Sequence, residues 1–213
     1  MKAWHRMAPL SAIASLVVVF LAAAVPASGE ARFAIAPQRL VATISWFPDL
    51  GQPESRLRAT RSASGWAFGI LEDPPANGRQ EVARLKREGF VEGVHRAITG
   101  GKGEAFSGAL VLGTAHAATR ESETKASEEQ RELGPGVVRF SLPTIPGGIG
   151  LTQPHPPTAL TPGESQTSVV FAVGRCALGV GLRLAPPSSQ GAVHHAVIAA
   201  AVRLRKAVRH ACR

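Results

Sequence analysis

The chain has 213 residues, a formal net charge of +9 and 45% hydrophobic residues. That length suits one domain, with enough apolar material for a core. The basic balance favours anionic partners such as envelope polymers or anionic lipid, and nucleic acid ranks last because no aromatic-plus-basic stacking pattern occurs. Arg greatly outnumbers Lys, and Ala, Gly and Pro are abundant. Such a composition looks like a GC-rich bacterial genome, which explains much of the basicity without any function.

Met1 to about Ala31 reads as a secretory signal peptide. Lys2, His5 and Arg6 form a basic start, and Ile13 to Ala24 is an apolar run. Cleavage after Ala27, Gly29 or Ala31 fits the small-residue rule. The run is short for a bilayer span, which favours cleavage over an uncleaved anchor. Loss of Lys2 and Arg6 leaves a mature chain of about +7, with no transmembrane segment expected after cleavage.

Residues 32–64 form an ambiguous N-terminal segment. Leu40, Ala42, Ile44 and Trp46 alternate with Val41, Thr43, Ser45 and Phe47, which permits a strand. Arg56 to Ser64 is polar and basic and reads as a loop or linker. A single domain over 65–213 is expected to follow. Gly65 to Leu71 reads as its first strand, with Trp66, Phe68 and Ile70 on one face. Asn77 then caps a helix to about Glu88, with Gly89 at its C′ position and Phe90 as the hydrophobic contact. Val91 to Thr99 and Ala105 to Leu112 pair through a Gly-rich turn. Thr114 caps a helix over about Ala115 to Leu133, whose polar remainder reads as a solvated face.

Val138, Phe140 and Leu142 mark the next strand. Pro143 to Gln166 lacks periodicity and is rich in Pro and Gly; it reads as a mobile crossover loop ahead of a functional lid. The clearest signal follows. Val169, Phe171 and Val173 alternate with small residues, Gly174-Arg175 fits a two-residue turn, and Cys176, Leu178, Val180, Leu182 and Leu184 continue the alternation. The turn pairs Val173 with Cys176, so both large-residue rows share one core face. The opposite face is small and Gly-rich. Ser189 caps a last helix to about Ala211, with Val193, Val197, Ala201, Leu204, Val208 and Cys212 on one stripe. The expected fold is α+β: an antiparallel sheet of hairpins, helices packed on one face, and the C-terminal helix crosslinked to the sheet.

That crosslink is the best constellation of chemistry. Cys176 and Cys212 each fall on the apolar row of their element, and an exported chain with two cysteines favours a disulfide over two free buried thiols. No catalytic, cofactor or metal residue is assigned. His194-His195 point about 100° apart on a helix and make a poor metal pair. Gly147-Gly148-Ile149-Gly150 is not followed by a helix and reads as a hinge. No GxSxG elbow occurs. Arg203, Arg205, Lys206 and Arg209 crowd the end of the last helix and are the candidate contacts for an anionic partner.

The run Phe140-Ser141-Leu142-Pro143-Thr144-Ile145-Pro146-Gly147, followed by Val169 to Cys176, resembles uncharacterised secreted or lipoprotein-like proteins of actinobacteria with an F-x-x-P-x-I-P-G and V-x-F-x-x-G-R pattern. The resemblance implies turns and a hairpin and carries no catalytic residue. Element order is also analogous to the Mog1/PsbP-like α+β class. The expectation is an exported, non-enzymatic binding or structural module at the cell envelope. The alternative is a secreted hydrolase with a site under the 143–166 loop.

Overall fold

The computed structural model describes residues 34–70, 77–153 and 164–213. The signal-peptide reading of Met1 to Ala31 and the middle of the Pro-rich loop lie outside the described residues. The described residues form one compact unit. Its centre is a seven-stranded, wholly antiparallel sheet in the order β1-β2-β3-β7-β6-β5-β4. The strands are β1 (Glu54–Thr60), β2 (Glu92–Gly100), β3 (Gly103–Val111), β4 (Val138–Ser141), β5 (Ile149–Gln153), β6 (Ser165–Val173) and β7 (Cys176–Leu184). The helices are a short turn α1 (Ala63–Gly65), α2 (Gly78–Arg87), α3 (Ala115–Leu133) and α4 (Gln190–Val208). The α+β class, the antiparallel hairpins and the crosslinked C-terminal helix are as expected from the sequence.

The β6–β7 hairpin has the expected register, with Val173 opposite Cys176 and Phe171 opposite Leu178. Gly174 has a φ of 52°, and a Cβ there would collide with the carbonyl oxygen of Cys212. Val169, Phe171, Leu178, Val180 and Leu182 are buried with Val193, Val197, Ala201, Leu204 and Val208 of α4. Ser189 caps α4 by accepting from the Ala192 N–H at 3.2 Å. The Cys176–Cys212 disulfide closes this layer with a Cα–Cα distance of 5.5 Å, within the range an unforced bridge needs.

Pleating puts Ser168, Val170, Ala172, Ala177 and Gly179 on the other face. The sequence suggests helices on one face; they are divided between the two, because the small residues of the hairpin's second face also leave room for helices. α4 covers one, while Leu85 of α2 and Ala117 and Ala118 of α3 pack with Leu110, Leu112 and Ala177 on the other. The result is three layers, with the sheet buried between helices.

The N-terminal segment differs from the strand-plus-linker expectation. Residues 37–50 form three 3₁₀ turns, and Leu40, Val41, Ala42, Phe47 and Leu50 are all buried against the α4 face of the sheet. The apparent alternation fails because Pro37 and Pro48 start 3₁₀ turns in place of extended chain. Glu54–Thr60, which overlaps the Arg56 to Ser64 stretch read as loop or linker, is the edge strand β1, with Arg58 opposite His95 and Leu57 opposite Arg96. The domain therefore takes in most of 32–64. A charged edge strand lacks an apolar signal because its job includes protecting the sheet edge.

The expected strand at 65–71 is also replaced. Trp66–Ile70 is a single π-helical stretch after α1. Trp66, Ala67 and Ile70 are buried and Phe68 is 51% exposed, a helical spacing of burial. α2 ends as expected: Phe90 N–H donates to Leu85 O at 3.0 Å and Gly89 N–H to Lys86 O at 3.1 Å, with Gly89 at φ 71°. Asn77 occupies the cap position of α2 without a side-chain cap bond. The long Pro/Gly loop is broken by β5, which pairs with both β4 and β6.

Candidate functional site

The Gly-rich back of the β6–β7 hairpin forms the floor of a cleft of about 1220 Å³. Large side chains on this face would fill the space under α2 and α3. Small ones do not: a Cβ at Gly179 would meet nothing within 4 Å. Gly108, Ala97 and Phe106 continue the floor across β2 and β3, and Trp66 lies at its edge. Trp66 stacks where Gly93 leaves room, since a Cβ at Gly93 would collide with the indole. α2 supplies one wall through Gln80, Glu81 and Arg84, and α3 the other through Lys125, Glu128 and Glu129.

An ion network joins the two walls. Arg84 Nη2 lies 2.8 Å from both Glu81 carboxylate oxygens and 3.2 Å from Glu121 Oε1, and Arg84 Nη1 also pairs with Glu121. Lys125 Nζ donates to Glu128 at 2.8 Å and to Glu81 at 3.3 Å. Glu121 is fully buried; the sequence placed it on a solvated face, because nothing local reveals that Arg84 lies 37 positions away in sequence and against it.

Burial and partners set the protonation of this network. Burial works against the Arg84 charge, yet Glu121 and Glu81 hold its proton above the usual arginine value. Lys125 is likewise raised, with burial opposed by Glu121, Glu81 and Glu128. Glu81 is lowered because Lys125 and Arg84 together outweigh its burial. Glu121 bears the cost of the arrangement: burial raises its carboxyl even against Arg84 and Lys125.

Glu129 sits one turn beyond Lys125. Burial pushes its carboxyl up to about 7, Ser168 offsets part of this, and the charge of Glu132 adds to it. Its residual exposure is toward the cleft that it lines. Ser168 is 1% exposed, and its Oγ faces the Glu129 carboxyl, which it supports without well-formed hydrogen-bond geometry. A hydroxyl held so loosely by its neighbour keeps acceptor capacity at the cleft floor.

The residues singled out from sequence lie elsewhere. Arg203, Arg205 and Lys206 on α4 and Arg209 just after its end are all exposed, remote from the cleft, on the other side of the sheet. His194 packs its ring 4.5 Å from Phe140, and His195 lies 6.3 Å from His194. Burial and the neighbouring His195 lower the His194 imidazole. Among the described residues no group of three or more His, Cys, Asp or Glu converges on one point. A second pocket of about 410 Å³ lies at β4 and the turn after it, lined by Glu123, Arg139, Ser141 and Gly147 among others, with no histidine among the described lining residues. The cleft was missed from sequence, although the small, Gly-rich face of the hairpin was its one visible trace.

No family model matches the chain, and no curated protein matches it. Among solved structures, the extracellular domain of PknH from Mycobacterium tuberculosis is similar at a TM-score of 0.44 and 10% identity, over 81% of this chain and 97% of that chain. Similarity that low establishes neither common descent nor common function.

Proposed function

We propose that this protein is an exported, non-enzymatic binding module of the cell envelope, and that the cleft between the sheet and α2/α3 is its ligand site. The observation that carries the reading is the cleft itself. Its floor is small and partly apolar, its walls are joined by an ion network, and a loosely held buried hydroxyl lies at its base. Ligand pockets generally combine an apolar lining with a few placed polar groups. Export is supported by the disulfide, which persists in oxidising compartments, and by the basic and apolar start of the chain.

The experiment is native mass spectrometry of the protein recovered from its own envelope fraction. A mature chain carrying a bound mass, lost in Gly179→Leu, is the expected result. Full-length protein found only in the cytoplasm would overturn the address. A wild-type chain that takes up no ligand, with fold intact, would overturn the site. Among the described residues, the hydrolase alternative draws little from the smaller pocket, which Ser141 and Glu123 line without a histidine.

Attachment to an anionic envelope component through Arg203, Arg205, Lys206 and Arg209 forms the second part of the reading. These side chains are exposed on α4 and just after its end and form no ion pair among the described residues. Co-sedimentation with anionic-lipid vesicles should weaken steeply as salt screens the contacts. Binding that is indifferent to salt, or to Lys206→Glu with Arg209→Glu, would discard it.

A further inference from the structure

We infer that the ligand of this cleft carries a protonated amine, seated against the carboxylates of Glu129 and Glu132 and the hydroxyl of Ser168, with an apolar portion lying over Ala177 and Gly179. The inference rests on the reading of the cleft as the binding site and names the class of molecule it takes.

The first argument is charge. The protein as a whole is +9, yet six carboxylates and four Lys or Arg side chains line the cleft. Its sign is therefore opposite to that of the molecule. Two of the four cations, Arg84 and Lys125, are committed, while Arg87 and Arg131 are exposed and form no ion pair among the described residues. Arg84 is shared among Glu81, Glu88 and Glu121, and Lys125 between Glu81 and Glu128. An anionic ligand would have to compete with these carboxylates for both. Glu104 is matched by Arg183 at 2.7 Å. Glu129 and Glu132 form no ion pair among the described residues.

The second argument is the geometry around those two. Glu129 and Glu132 are three apart on α3, so both lie on one side of the helix. Like charges at that spacing repel, and a cation between them would turn the repulsion into attraction. Ser168 lies beneath Glu129 on β6, buried, its Oγ facing the Glu129 carboxyl without well-formed hydrogen-bond geometry. An ammonium has three donors and no acceptor. Two carboxylates and a hydroxyl lone pair would satisfy all three, and charge-assisted bonds of this type are the stronger ones. A calcium ion would ask for six to eight oxygen ligands, more than this corner offers.

The third argument is space. Gly179 opens onto free volume and Ala177, Val170 and Phe106 are apolar. At about 1220 Å³ the cleft exceeds what a lone ammonium needs. The ligand therefore has a body as well as a charge.

Proton linkage follows from the same site. Glu129 must be ionised to hold the amine, and burial and Glu132 push its carboxyl up to about 7. Affinity should then be weaker at pH 6 than at pH 8, by roughly tenfold. The other charged or titratable groups around the cleft are Glu121, Glu128, Lys125 and Arg131 on α3, Glu81, Arg84 and Arg87 on α2, His95 on β2 and Glu104 on β3. Glu129→Gln is accordingly the control that assigns the pH dependence.

The test compares three probes of one chain length: octylamine, octanol and octanoate. Binding to the full mature protein is followed by NMR shifts of cleft amides and by calorimetry. Octylamine should bind at least tenfold more tightly than octanol, and octanoate should bind least. The preference should vanish in Glu129→Gln with Glu132→Gln, while octanol binding persists and shows that the variant is folded. Equal binding of all three probes would overturn the amine assignment and leave the cleft as an apolar site. A preference that survives the double variant would overturn it too. No cleft shift with any probe would overturn the cleft reading itself.

Discussion

The backbone N–H of Ile35 donates to the buried Glu92 carboxylate at 3.0 Å, and that of Ala34 does so at 2.8 Å. Glu92 is fully buried at the start of β2, so its charge is satisfied by the start of the described chain. This contact ties the first described residues to the sheet 57 positions on. Glu92→Ala removes both acceptors and leaves two backbone donors without partners. Hydrogen bonds to a charged group contribute roughly 1.5–3 kcal/mol each; a loss of about 2–4 kcal/mol is expected here, because the released segment regains water. A lowered urea midpoint at unchanged slope is the measure. Unchanged stability would show that the segment is held by its 3₁₀ turns alone.

The Cys176–Cys212 bridge spans 36 positions. Chain entropy for a loop of that length gives about 3–4 kcal/mol. Its removal should act at the end of α4, where the Arg175 N–H donates to Cys212 O at 2.8 Å. In a Cys176→Ser, Cys212→Ser variant, hydrogen exchange should rise first at Ala211, Cys212 and Arg175. Uniform loss of protection across the sheet would mean that the bridge stabilises the whole domain and not the helix end.

Gly174 and Gly179 lie on the same hairpin and should respond oppositely to one methyl group. At Gly174 the φ is 52° and the new Cβ collides with Cys212 O. Gly174→Ala should cost more than the roughly 1 kcal/mol of backbone strain alone, since the collision is with main chain. At Gly179 the methyl enters open cleft, and Gly179→Ala should change stability by less than about 0.5 kcal/mol. Thermal unfolding of the two variants side by side decides it; similar losses at both would mean that the cleft floor is closed.

Glu129 makes stability depend on pH. Its carboxyl is raised to about 7 in the folded chain from an ordinary value of 4.5. Stability from its protonated form is complete below the ordinary value and is lost as pH rises through about 7. Between pH 5 and pH 8 the domain should lose at most about 3 kcal/mol from this group. Glu129→Gln should flatten that slope. A wild-type protein equally stable at both values would show that the carboxylate is solvated from the cleft.

Some of this protein is written locally. The β6–β7 hairpin follows from alternation and a Gly-first turn, α3 and α4 from Thr114 and Ser189 as caps, and the end of α2 from Gly89 and Phe90. The disulfide follows because both cysteines fall on the apolar row of their elements. Apart from the cysteine pairing, which joins two such elements 36 positions apart, each signal is local to one element, so periodicity and capping suffice. Other features depend on partners far along the chain. Glu54–Thr60 is a strand because β2 offers it an edge. Trp66–Ile70 is helical because the indole packs over Gly93. Glu121 is buried because Arg84 meets it. The cleft exists because two helices bridge a sheet face of small residues without filling it. An empty space has no residue of its own, and ion pairs between distant elements have no period, so only the assembled tertiary structure decides them.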